Sequence, residues 1–350
     1  MYQSVRTTLV AVTVLLLTAP ALRAQMQIPV ADDALLELTG RLHSQFEASS
    51  VEGAGSNFFT RRARITVELS VNELFSAKIQ PEYSGGGTTL KDAWVRFNLD
   101  PSFRISFGQL KRAFDLIDLD SSTDLSTIER DGGIEGFDTC SGVGGICSYS
   151  RFTNKLAYGE RDQGVLVEVG QGPLRFLGTI TNGNGTNRDD DNEGKSFAGR
   201  LEVDALDEVT VAGGFSTHDY DLNDETEQGV AWNLDLKVGD WRDGLHVEAG
   251  VITGDNWLVS ESTTFFAWHA TGTYYFPLDT DAPIVGWEPL LRLSQGDPDT
   301  DIDADGGFLF TPGAMVYIAG KNKFGFNLDV YSPETGSTEY SFKFQSFLYF

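Results

Sequence analysis

From Leu35 to the last residue, apolar and polar side chains alternate with a period of two, and this restricts the fold more than any motif. Leu36, Leu38, Leu42 and Phe46 are interleaved with Glu37, Thr39, Arg41, His43 and Gln45. Phe59, Ala63, Ile65, Val67 and Leu69 are interleaved with Arg62, Arg64, Thr66, Glu68 and Ser70. Successive side chains of a strand point to opposite faces, so each such segment has one oily and one polar face. The pattern predicts strands near 35–49, 58–70, 73–83, 90–99, 102–110, 163–170, 174–182 and 195–204. It continues near 208–217, 228–238, 243–253, 264–276, 286–295, 312–320, 323–331 and 339–350, about sixteen in all.

The connections alternate between short and long. Short ones fall at 70–73, 99–102, 170–173, 204–207 and 320–323. Long ones, rich in Gly, Asn and Asp, fall at 50–57, 84–89, 111–162, 183–194, 218–227 and 295–307, and the 277–286 turn is longer than this scheme expects. An even number of two-faced strands with short turns at one end and long loops at the other is the layout of a bacterial transmembrane barrel. A soluble two-sheet sandwich has to bury every oily face in one core. A chain this long would then need two domains, and no linker divides it. The expected fold is therefore all-β, a single antiparallel transmembrane barrel over residues 25–350. The last strand, with Tyr340, Phe342, Phe344, Leu348 and Phe350 on one face, resembles the C-terminal signal read by the outer-membrane assembly machinery.

Residues 1–24 read as a cleavable export signal. Arg6 precedes the apolar run Leu9 to Leu17, and small residues follow at Ala19, Ala21 and Ala24. The run is far shorter than the ~20 residues a spanning helix needs. The net charge of −25 excludes nucleic acid as a partner, since phosphate would be repelled. Cys140 and Cys147, the two cysteines, are expected to close a small loop disulfide in an oxidising compartment.

Several stretches are similar to a known family: Arg61-Arg62-Ala63-Arg64, Gly85-Gly86-Gly87, Lys91-Asp92-Ala93-Trp94-Val95-Arg96-Phe97 and Gly108-Gln109-Leu110-Lys111-Arg112-Ala113-Phe114. Ile128-Glu129-Arg130, Tyr158-Gly159-Glu160-Arg161-Asp162 and Asn182-Gly183-Asn184-Gly185 follow in the same order. Over roughly residues 58 to 185 the chain resembles the phosphate-selective porins of Gram-negative outer membranes. The resemblance implies a sixteen-stranded barrel that trimerises among outer-membrane lipid and lipopolysaccharide. It also implies a third external loop, here 111–162, that folds inward and narrows the channel for small anions and other hydrophilic solutes.

With the oily face to lipid, the first five strands turn Arg41, Arg62, Arg64, Lys78, Arg96 and Arg104 inward as a basic stripe, and Lys111 and Arg112 stand where the long loop begins. The loop carries Asp115, Asp118, Asp120, Asp124, Glu129 and Asp131, so a basic wall facing an acidic loop is the expected constriction. Later strands add Glu202, Asp204, Asp235, Glu248 and Asp329 to the inward face, which counts against a channel specific for phosphate.

No enzyme constellation emerges. His43, His218, His246 and His269 have no metal-ligand spacing, no Gly-x-Ser-x-Gly elbow is present, and no cofactor or metal is expected. The alternating Asp297, Asp299, Asp301, Asp303 and Asp305 have the spacing of a calcium loop, but Pro312 stands where its closing acid belongs, so a solvated acidic loop is expected. A barrel hydrolase and a structural, adhesive or plugged barrel remain as alternatives to the diffusion channel.

Overall fold

The computed structural model describes residues 26–350 apart from 32, 223–224 and 279–282. The export signal expected over 1–24 lies outside the described residues. In chain order the strands are β1 (Met26–Ala31), β2 (Ala34–Ser49), β3 (Ser56–Val71), β4 (Phe75–Glu82), β5 (Thr89–Asp100) and β6 (Phe103–Lys111). Next come β7 (Arg161–Val169), β8 (Leu174–Thr181), β9 (Ser196–Leu206), β10 (Val209–Leu222), β11 (Glu225–Val238) and β12 (Leu245–Asp255). The last six are β13 (Thr264–Tyr274), β14 (Phe276–Pro277), β15 (Gly286–Asp297), β16 (Gly307–Ala319), β17 (Asn322–Pro333) and β18 (Glu339–Tyr349). Two short helices, α1 (Leu116–Leu119) and α2 (Tyr149–Lys155), lie between β6 and β7.

Neighbours in sequence pair antiparallel around the wall, and β18 returns to pair with β2 and close it. Two of the eighteen segments are continuations. β14 extends β13 along the same partner, β15. β1 extends β18: β18 pairs with β2 as far as Arg41, Phe350 and Gly40 exchange backbone bonds of 2.6 and 3.1 Å, and β1 then pairs with Leu38 to Ala34. The result is a closed barrel of sixteen antiparallel strands, which leaves no unpaired sheet edge.

Burial along the strands is the reverse of a water-soluble protein. In β17, Lys323, Asn327 and Asp329 are 1–2% exposed while Phe324, Phe326 and Leu328 are 37–39% exposed. β18 repeats this, with Ser341, Lys343 and Gln345 buried and Phe342 exposed. Only a lipid exterior makes that arrangement favourable. Paired aromatics such as Phe276 with Trp287 and Phe324 with Phe344 cover the outer face.

Predicted and observed strands agree within a few residues, with three differences. The segment 218–227, expected as a long loop, is mostly strand: β10 and β11 pair as far as Leu222 and Glu225. Its Asp and Glu residues sit on extended backbone, where polarity alone does not separate a strand that reaches past the membrane from a loop. β1 and the two helices were not anticipated, because each is too short to show a period.

The connection between β6 and β7 folds into the barrel and builds its own core there. Phe114, Ile134, Val143, Ile146, Tyr149, Phe152 and Tyr158 are buried against Ala231, Ile252, Phe265, Leu309 and Tyr331 of β11 to β17. Ile128 packs deeper, against Met315, Tyr317 and Phe347. The loop's apolar core therefore packs on the β9–β18 side, and the loop meets β2 and β3 through polar contacts such as Ser49 with Glu135 and Arg61 with Glu129.

Candidate functional site

A cavity of about 280 Å³ lies between β2–β7 and the first part of the loop. Seven cations line it: Arg41, Arg64, Lys78, Arg96, Lys111, Arg130 and Arg161, with Asp92 as the one lining carboxylate among the described residues. Register explains the convergence. Arg41 pairs with Arg64 across β2 and β3, Lys78 with Trp94 across β4 and β5, and Lys111 with Arg161 across β6 and β7.

Four of these cations have carboxylate partners. Arg64 meets Glu82 at 2.5 Å, Lys78 meets Glu68 at 2.8 Å, Arg96 meets Glu168 at 3.0 Å and Arg161 meets Asp92 at 2.6 Å. The other three bond only to neutral acceptors. Arg41 donates to Ser122 Oγ (2.7 Å), and Lys111 donates to the Leu119 and Asp120 carbonyls (3.0 and 2.6 Å). Arg130 donates to the Ile117 and Asp120 carbonyls (2.9 and 2.6 Å). Of the seven basic side chains, four thus have a carboxylate partner and three are matched by neutral oxygens alone.

The expected residues divide accordingly. Arg41, Arg64, Lys78, Arg96 and Lys111 line the cavity. Arg62 does not: it is buried beside Glu129, 3.7 Å from Oε2. Arg104 faces Glu168 in register near the short 101–102 turn, outside the cavity. Arg112, expected on the pore wall, is instead a buried anchor that donates to the carbonyls of Ala157, Phe197 and Thr217 and ties the loop to β9 and β10. It is the first residue past β6, so the chain turns inward there and carries it out of the stripe.

Of the loop's predicted acidic side chains Glu129 meets the basic strands, at Arg61 and Arg62, and none lines the cavity, to which the loop contributes Leu119, Ser121, Ser122 and Arg130. Asp115 caps α1 by accepting from the Asp118 amide (3.1 Å), and Asp118 accepts from Asn154 (2.9 Å). Burial, then the neighbouring charge of Asp118, pushes the Asp115 carboxyl well above the usual range. Burial and Glu248 of the far wall do the same to Asp120. Asp124 pairs with Lys321 (2.8 Å) and Asp131 with Arg151 (3.4 Å). Burial works to raise the Glu129 carboxyl, but Arg61 and Arg62 outweigh it and hold it low. Cys140 and Cys147 are joined in a disulfide on the far side, where the Cys147 amide donates to Tyr331 Oη (3.1 Å).

Sequence reasoning missed Arg61, Arg130, Arg161 and Trp94. The register of β2 and β3 shifts between His43 and Ser44, so Arg61 is an extra residue in a bulge and reaches Glu129 beside Arg62. Arg130 belongs to the loop, where periodicity is silent. Arg161 opens β7 two residues before the predicted start. Asp297 to Asp305 form Asx turns, with Asp299 N on Asp297 Oδ1 and Asp301 N on Asp299 Oδ1, and no metal-binding cluster occurs among the described residues.

The fold has solved counterparts. The anion-selective porin from Comamonas acidovorans superposes with a TM-score of 0.66 at 11% identity, covering 91% of this chain and all of that one. The outer membrane channel DcaP of Acinetobacter baumannii gives 0.62 at 12% identity, covering 91% and 97%. OmpT of Vibrio cholerae, lacking its loop L8, gives 0.59 at 10% identity, covering 91% and 100%. No curated protein matches the sequence. The model of the phosphate-selective porin O and P family matches residues 36–228, more than half of the chain. With the closed barrel and its inward loop, this match makes the chain a member of that porin family, a channel of the outer membrane.

Proposed function

We propose that the passage between the basic wall and the loop conducts small anions in preference to cations. The single observation that carries this is the cavity lined by seven cations and one carboxylate, with three cations matched only by neutral oxygens. A narrow passage with an unbalanced charge concentrates the opposite ion and repels its own. Each unit charge about 6 Å from a permeating ion contributes ~0.7 kcal/mol even at the dielectric of water, roughly threefold in occupancy. We further read the subunit as one of a homotrimer held among lipid and lipopolysaccharide, as the family resemblance implies.

The test removes the charges matched by neutral oxygens alone. Arg41→Gln, Lys111→Gln and Arg130→Gln together are expected to lower the anion-to-cation permeability ratio at least severalfold in planar bilayers. Arg41→Gln alone, which breaks no bond to a loop carbonyl, is expected to lower the ratio about threefold at unchanged unit conductance. An unchanged ratio in both variants overturns the proposal.

A further inference from the structure

The basic cavity also has an apolar side. Trp94, Leu110 and Leu166 line it from β5, β6 and β7, and Leu119 lines it from the loop. Inward apolar residues elsewhere in the barrel have a structural explanation, since Ile252, Phe265, Leu309 and Met315 are covered by the loop's own core. Trp94, Leu110 and Leu166 belong to neither core cluster. They break the polar-inward rule where the solute must pass.

The backbone beside Trp94 keeps this surface open. Gly108 pairs with Trp94 on one side and with Gly164 on the other, so two consecutive positions next to the indole carry no side chain. Gly108 has φ +128, and a Cβ there would overlap the Ala93 carbonyl and stand 2.9 Å from Trp94 Cα. The Arg96 guanidinium lies 4.7 Å from the centre of the Trp94 ring and also reaches Glu168. The guanidinium thus covers one face of the indole, with bare backbone along its flank.

Resting on the anion-preferring reading, we propose that this constriction is a subsite for organic carboxylates carrying an apolar ring or chain, rather than for inorganic oxyanions. The carboxylate takes the charge of Arg41, Lys111 and Arg130, and the apolar body lies on Trp94, Leu119 and Leu166. A cavity of about 280 Å³ lies just below the range of about 300–1,000 Å³ for small-molecule pockets, which suits one ring. Tetrahedral phosphate gains nothing from an indole and two leucines, and it loses water to them without receiving hydrogen bonds in return. An aromatic carboxylate instead gains from burial of its ring.

The experiment uses the full-length refolded protein in planar bilayers carrying chloride current, with benzoate, acetate and phosphate added in turn. Benzoate is expected to block the current at a concentration at least tenfold below that of acetate or phosphate. Trp94→Ala is expected to bring the benzoate-to-acetate ratio close to one, and Trp94→Phe to restore most of it. Should Trp94→Ala fail to assemble, Leu166→Asn gives the same readout from the next strand but one. Reversal potential in potassium chloride separates the two ideas. An anion-preferring wild type that treats benzoate like acetate overturns this proposal alone. A wild type blocked by phosphate and not by benzoate also overturns it. A cation-preferring wild type overturns the anion reading and this one with it.

Discussion

Asp329 shows how single residues hold this lumen together. It is 1% exposed and lies 2.9 Å from Arg292 and 2.6 Å from Lys343, both also buried. Removing Asp329 strands Arg292 without a counter-charge and leaves Lys343 only Glu47, at 3.4 Å. Asp329→Ala is expected to destabilise the folded barrel by about 3–5 kcal/mol, measured as a lower urea midpoint for unfolding from micelles. A loss well under 1 kcal/mol would show that solvent reaches the two cations. On the external face, burial and then the charges of Asp297 and Asp299 push the Asp305 carboxyl up to about 6. Its folded pKa exceeds the ordinary ~3.9, so between those values the folded loop keeps a proton that the unfolded chain has lost. The stability of the 298–306 loop should therefore fall as pH rises from about 4 to about 6 and stay level above that. Hydrogen exchange, corrected for intrinsic rates, is expected to show more protection of that loop at pH 4.5 than at pH 7. Asp305→Asn is expected to remove the difference.

Strands and the long loop were not equally legible in the sequence. The period of two marked each wall strand and its inward residues, because one face meets lipid and the other meets water. It failed where geometry departs from regular pleating, as at the Arg61 bulge and at Arg112, one residue past the end of β6. Within the loop no period exists, so Arg130 and the destinations of the acidic side chains were beyond reach. Those destinations follow from tertiary packing: Glu129 to Arg61, Asp124 to Lys321 and Asp131 to Arg151. The loop's position depends on Arg112, whose guanidinium joins three carbonyls from the loop, β9 and β10. Arg112→Met is expected to leave the barrel assembled while loosening the loop. Single-channel records should then show higher and noisier conductance. Quiet steps of wild-type size would mean that the disulfide-closed, core-packed half holds the loop unaided.

For the whole molecule, the net charge of −25 says little about the field in the channel. Acidic residues on the later strands, which in the sequence count against a channel specific for phosphate, have basic partners where they stand. Asp235 and Glu202 meet Arg200, Asp204 meets Arg175, Asp329 meets Arg292 and Lys343, and Glu248 shares a hydrogen bond with His246. Other carboxylates, such as Asp189 to Asp191 and Asp297 to Asp305, are in the external loops. The cations without a carboxylate partner, Arg41 and Lys111 of the wall and Arg130 of the loop, collect at the cavity between β2–β7 and the loop. Fold and electrostatics thus arise together, since the loop's apolar core fills the β9–β18 side and confines the solute to the basic side. The most direct measurement of this claim is the zero-current potential of the refolded protein in a planar bilayer under a tenfold gradient of potassium chloride. The account predicts stable conductance steps and a reversal potential of the sign set by chloride; a reversal potential set by potassium would contradict it.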